Sequence, residues 1–223
     1  MGGIIGINGK LGKIHNCYNS GNVTASEKNG SYNVVGVGGV VGHVARKGLV
    51  KHSYNTGTIS STSTGVYTGG VAGSNEAWNG SAQVLENAST IQYSYNSGNV
   101  NSKGTKIGGL TGWNANYCYI KDSYSSSSAV IKYNSTSASS NIGSSSSYLG
   151  KIIGYAASTS STYISNYNTL AAENMPSVYN VVNGLNDGES QIWAKDELKE
   201  GSTTEYKYNN NGNPILKWEI ESM

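Results

Sequence analysis

The chain has 223 residues, 30 of them Gly and 17 Tyr, with 2 Pro, 2 Cys and no Phe, and its apolar fraction of 36% is modest for a protein with a thick oily core. No apolar run approaches the ~20 residues that a membrane-crossing helix needs. The formal charge of +2 conceals a basic stretch, residues 1–169 with 11 Lys/Arg against 4 Asp/Glu, and an acidic one, residues 170–223 with 4 against 9; the lysines are scattered, which argues against nucleic-acid binding.

In chain order, the sequence repeats a two-part phrase: Gly-Gly-apolar-x-Gly, a spacer, then small-Tyr-Asn-Ser/Thr-Gly-x-Val/Ile. The first copy is Gly2–Gly6 with Cys17–Val23, the second Gly38–Gly42 with Ser53–Ile59, and the third Gly69–Gly73 with Ser94–Val100. Two weaker copies follow: Gly108–Gly112 with Ser123-Tyr124, where Ser125 replaces the Asn, and Gly150–Gly154, where Lys151 breaks the glycine pair, with Tyr167-Asn168. From the last glycine to the tyrosine the separations are 12, 12, 22, 12 and 13 positions, the outlier holding one insertion at 79–88. A fixed leg beside a freely varying return leg is the mark of stacked supersecondary units.

Short β-branched runs bounded by glycine, without sustained 3.6-residue periodicity before Ala171, predict strands. We therefore expect an all-β parallel β-helix, or β-solenoid, of about five coils over residues 1–169, with a small C-terminal cap over 170–223. With equivalent strands paired in parallel, like residues stack about 4.8 Å apart. Asn19, Asn55, Asn96 and Asn168 are then expected to form an amide ladder, Tyr18, Tyr54, Tyr95, Tyr124 and Tyr167 an aromatic column, and Gly21, Gly57 and Gly98 a turn conformation closed to other residues. Cys17 and Cys118, three coils apart, exceed the roughly 7 Å between Cα atoms that a disulfide spans, so two free thiols are expected, Cys17 in the slot filled elsewhere by Ser53, Ser94 and Ser123. The Ser-rich stretch 125–147 reads as a mobile outer loop. Beyond Thr169, a short helix is expected over 189–200, and strands at 205–208 and 214–218 around an Asn209–Asn213 turn, packed by Trp193, Ile215, Leu216 and Trp218.

The phrases at 38–42 and 53–59, with their counterparts, resemble the GLUG motif, a short repeat of bacterial surface and secreted proteins that include adhesin-like proteins and some large extracellular peptidases. The resemblance covers about residues 2–169, and Asn211–Trp218 is similar to segments that close such arrays. It implies an extracellular protein, at the bacterial cell surface or secreted, and brings no catalytic residues. Since the chain opens inside a repeat, it is expected to be part of a longer polypeptide.

Chemistry is sparse. The repeat region offers Glu27, Glu76, Glu86 and Asp122 as carboxylates, of which only Glu76 and Glu86 share one leg, and glycosidic cleavage commonly uses two. Its histidines are His15, His43 and His52; strand alternation sends His15 and His52 to opposite faces, so no metal site is expected. The glycine runs lack the lysine and helix start of a phosphate loop. No catalytic group, cofactor or metal is therefore assigned. Binding fits better, because Trp and Tyr offer flat apolar faces with polar rims. Trp78, Asn79, Trp113, Asn114 and Asn116 are the candidate ligand-binding residues, with glycans or a host or cell-surface protein as partner. The expected function is a non-enzymatic adhesin or stalk segment; the alternative is an accessory repeat domain of a secreted peptidase or glycan-degrading enzyme.

Overall fold

The computed structural model describes residues 1–26, 36–160, 162–170, 193–208, 210 and 212–221. Its contacts divide into two units, Met1–Thr169 and Leu170–Met223.

The first unit is a parallel β-solenoid in which the chain visits four sheets in rotation. Sheet I holds Ile5–Asn8, Val41–Ala45, Ala72–Glu76, Thr111–Asn114 and Ile153–Ala156, in that order. Sheet II stacks Lys13–His15, Leu49–Lys51, Thr90–Gln92 and Tyr119–Ser126 beside the two-residue strands Tyr18–Asn19, Tyr54–Asn55 and Tyr95–Asn96, with Ile164–Leu170 added to Tyr119–Ser126. Sheet III stacks Val23–Ala25, Ile59–Ser61, Val100–Ser102 and Ile131–Tyr133. Sheet IV stacks Gly36–Gly38, Tyr67–Gly69, Lys106–Gly108 and Leu149–Gly150. Pairing between coils is in register, so repeat positions become physical rows: Tyr54 lies opposite Tyr18 and Tyr95, and Asn55 opposite Asn19 and Asn96.

The core is correspondingly narrow and layered. One apolar cluster stacks Val40, Val71, Leu110 and Ile152 against Ile14, Val50, Ile91, Ile120 and Ile164. A second stacks Val23, Ile59, Val100 and Ile131 against Val37, Ile107 and Leu149.

The two halves of the repeat require each other. Asn19 Nδ2 donates to Asn55 Oδ1 at 2.7 Å and Asn55 Nδ2 to Asn96 Oδ1 at 2.8 Å, while each amide also donates to the carbonyl of Gly21, Gly57 or Gly98 two residues on. The second glycine of each pair leaves room for that ladder: a Cβ on Gly3, Gly39 or Gly70 would collide with the side chain of Asn19, Asn55 or Asn96 respectively. In the fourth copy Ser125 takes the row, facing Gly109, and its buried hydroxyl has no hydrogen-bond partner among the described residues. The tyrosine column forms as well, with successive rings of Tyr18, Tyr54, Tyr95 and Tyr124 at 5.2, 4.7 and 5.0 Å and nearly parallel. The side chains of Tyr167 and Asn168 lie outside the described residues. Ser53, Ser94 and Ser123 each donate Oγ to the carbonyl two residues earlier and accept an N–H from the preceding coil; Cys17 holds the equivalent place, its Sγ donating to His15 O at 3.1 Å. Both cysteines are free.

Three expectations are corrected. Gly21, Gly57 and Gly98 have no positive φ; at Gly57 and Gly98 the demand is closeness, since a Cβ would meet the carbonyl of the glycine one coil earlier. The left-handed conformation falls instead on Asn16, His52, Tyr93 and Asp122, with φ of 52°, 51°, 47° and 50°, where the chain turns a corner inside sheet II. The Ser-rich 125–147 stretch lies mostly exposed, as an outer segment, but it carries regular structure: Ile131 is a core residue of sheet III, and Thr136–Ser137 pairs antiparallel with Ile131–Tyr133. In the second unit, the part of the expected 189–200 helix that is described forms a strand, Trp193–Lys195, antiparallel to Pro214–Leu216. Leu198 bridges Tyr206, and the only α-helix among the described residues is α1, Lys217–Glu221. Tertiary pairing overrides local propensity there: buried Asp196 accepts from the N–H groups of Tyr208 and Asn210 at 2.9 and 2.6 Å, tying the segment to the turn that follows. The first part of the expected cap, residues 171–192, lies outside the described residues.

Candidate functional site

Alternation along sheets I and IV puts two repeat positions on the side away from the apolar core. One lies two residues before the glycine pair, the other directly after the phrase. The first position places Tyr67 opposite Lys106, with Tyr148 at the same point of the next copy. The second forms the row His43, Ser74, Trp113 and Tyr155. Together they build a half-buried aromatic patch around one cation. Lys106 Nζ sits 4.4 Å from the centre of the Tyr67 ring, 4.5 Å from Trp113, and 5.7 Å from both Tyr148 and Tyr155. The rings brace one another edge-on, Tyr67 with Trp113 at 5.0 Å and Tyr148 with Tyr155 at 5.1 Å. Ring faces carry the negative part of the aromatic quadrupole, which holds an ammonium group there.

His43 Nε2 and Glu76 Oε1 lie 3.6 Å apart beside this patch, the carboxylate 8% exposed. Burial pushes the His43 imidazolium down from its ordinary range, against the opposing pull of Glu76. Burial likewise lowers Lys106, with Glu76 countering it, and raises Tyr67, where Glu76 adds to the rise. The patch is therefore a flat π surface with a partly desolvated cation at its centre and a weakly hydrated acid–base pair at its side. Such a surface stacks on the apolar face of a planar or ring-shaped ligand while the cation meets a polar or anionic group.

Of the residues singled out from sequence, Trp113 belongs to this patch. Trp78 is 40% exposed and stands with Asn79 on the insertion, where Asn79 Oδ1 accepts from the N–H groups of Ser81 and Ala82 in a tight turn. Asn116 is exposed at the turn that follows Trp113. Asn114 points inward: fully buried, it accepts from Asn75 Nδ2 at 2.8 Å and donates to Cys118 O at 3.0 Å, part of a second amide pair. Tyr67, Lys106, Tyr148 and Tyr155 were missed. Aligning the residues that flank each glycine phrase would have found them.

The sequence expectation for the histidines is corrected. The His15 and His52 rings lie 6.3 Å apart, edge to face, and His52 stacks on Tyr93 at 5.4 Å, because the left-handed corner at His52 breaks the alternation that would separate them. Among the described residues no three His, Cys, Asp or Glu side chains group as metal ligands. Glu76 is buried and Glu86 exposed on a 3-10 turn, Leu85–Asn87. Among the described residues no helix is long and apolar enough to cross a membrane.

The family described as the GLUG motif matches residues 1–24, which contain the first copy of both phrases. No curated protein and no solved structure matches the chain.

Proposed function

We propose, from a chain that carries a GLUG motif and folds as a parallel β-solenoid, that it is a non-enzymatic segment of an extracellular protein, bacterial and surface-borne or secreted, that binds glycans through its outer wall. The coarser part rests on the motif, which marks a surface or extracellular repeat-type protein. The observation that carries the finer part is the ring of Tyr67, Trp113, Tyr148 and Tyr155 around Lys106, on an outer wall where a purely structural solenoid has no need of four converging aromatics. Sugar rings offer apolar C–H faces for such rings, and their hydroxyl or carboxylate groups suit the cation.

A glycan array, followed by titration calorimetry on the best ligand, tests this. Tyr67→Ala and Tyr155→Ala should each weaken binding about tenfold, the loss of roughly 1.4 kcal/mol expected of one stacked ring, with circular dichroism unchanged. An array without ligands, or binding indifferent to both substitutions, would reduce the wall to a spacer.

A further inference from the structure

The solenoid sorts its positive charge onto one side. Residues 1–26 and 36–66, which form the first two coils, hold five Lys/Arg and no Asp or Glu. All five stand on sheet II or on the turn that enters it. Lys10 lies in the first turn and Arg46 and Lys47 in the second, and Leu11 N–H donates to Arg46 O at 3.0 Å, so the two turns stack one coil apart. In the strands, Lys13 and His15 flank buried Ile14, and His15 lies in register with Lys51. The same row continues through Gln92 to Lys121. Cations scattered in sequence therefore form rows along the stack.

Backbone conformation provides an independent observation. Lys10, Leu11, Arg46 and Lys47 have φ of 48°, 67°, 52° and 65°, in the left-handed region that Gly or Asn enters at lower cost. Three of these four are cations, although like charges set opposite one another destabilise paired strands. Lys10, Lys13, Arg46 and Lys47 enter no ion pair among the described residues. The later coils bring Glu86, exposed on its 3-10 turn, and Asp122, 8% exposed and accepting from Gln92 Nε2 at 3.2 Å. Burial first, then the charges of Lys51 and Lys13, hold His15 below its ordinary range, so these groups share one positive field. Strain and unrelieved charge at the same turns mark a surface shaped for something other than stability.

We propose that this side of sheet II, with Lys10, Lys13, Arg46, Lys47 and Lys51, binds a linear acidic polysaccharide lying along the stack of coils. A sugar ring is comparable in length to the ~4.8 Å coil spacing, so carboxylate or sulfate groups on such a chain meet cations from successive coils. Nucleic acid fits less well, because the rings beside these cations are covered. Tyr93 is 1% exposed and stacks on His52, and Lys121 Nζ lies 4.6 Å from the centre of the Tyr119 ring, so neither ring offers a bare face for base stacking. The surface shares no residue with the aromatic ring set around Lys106.

Titration calorimetry of the full chain, with heparin and polygalacturonate as probes, tests this. Both should bind, and more weakly by about tenfold or more between roughly 50 and 200 mM salt. Lys10→Gln, Arg46→Gln and Lys47→Gln together should weaken binding about tenfold. Lys13→Gln with Lys51→Gln, which leaves the turns intact, should weaken it about fivefold. The charge-matched set Lys103→Gln, Lys132→Gln and Lys151→Gln, which lies off this side, should change it less than about twofold, and Tyr67→Ala should leave it unchanged. Circular dichroism of each variant should match the parent. Neither probe binding, equal losses in the two triple variants, or a loss on Tyr67→Ala overturns the proposal. So does tighter binding to single-stranded DNA or to phosphatidylserine vesicles, which would make a different anion the occupant.

Discussion

At the scale of single residues, the solenoid relies on polar rows as much as on apolar ones. Asn55 is fully buried, and its side chain joins Asn19, Asn96 and Gly57 O in one chain of hydrogen bonds. Removing one partner from such a chain strands the others, at about 1–3 kcal/mol for a buried group left unsatisfied. Asn55→Ala should therefore lower unfolding stability by about 3 kcal/mol, while Asn19→Ala, at the half-exposed end of the ladder, should cost under half as much. Urea unfolding of both variants checks this, and equal losses would deny the ladder its role. The ladder was legible in sequence because an identical residue recurs at an identical place. Its companion, Asn75 with Asn114, was not, since Val44 and Ala156 interrupt that row.

Between elements, the pair His43 on Val41–Ala45 and Glu76 on Ala72–Glu76 couples neighbouring coils to pH. Burial depresses the folded His43 below its ordinary value of 6.5, with Glu76 opposing and the Met1 ammonium assisting. His15 is lowered as well, by burial and by Lys51 and Lys13. A depressed folded value means that the unfolded chain takes up the proton first. The stability held by neutral imidazole is therefore complete above about pH 6.5 and declines as pH falls below it. Unfolding midpoints measured from pH 7.5 to 5 should drop, and less steeply in His43→Gln. In Glu76→Gln the His43 titration, followed by NMR, should move further down, because the one group raising it is gone. This pairing escaped the sequence reading because 33 positions separate the partners and only the parallel register places Ser74, and so Glu76 two residues on, beside His43.

For the molecule as a whole, the sequence and the fold divide the work along a clear line. Cys17 and Cys118 provide an experimental test of the packed interior. Cys17 is partly accessible on the first coil, whereas Cys118 is fully buried among Ala77 and Ala115, and burial pushes its thiol up to about 12. A thiol reagent at pH 8 should label Cys17 in the native protein and Cys118 only when the solenoid opens; fast labelling of both would contradict the packed interior. The repeat itself, the stacked tyrosines, the asparagine ladder and the parallel all-β class were determined by sequence alone, because in-register stacking turns a constant spacing into a constant position. Tertiary structure alone decided three things. Left-handed corners at Asn16, His52, Tyr93 and Asp122 turned side chains that strand alternation would have sent elsewhere. In the second unit, Trp193–Lys195 became a strand because Pro214–Leu216 paired with it, against the local preference for helix. And Lys106 gathered Tyr67, Trp113, Tyr148 and Tyr155 from three successive copies, since the outward positions are unlike residues, without a repeated signature, and meet only where neighbouring coils lie about 4.8 Å apart.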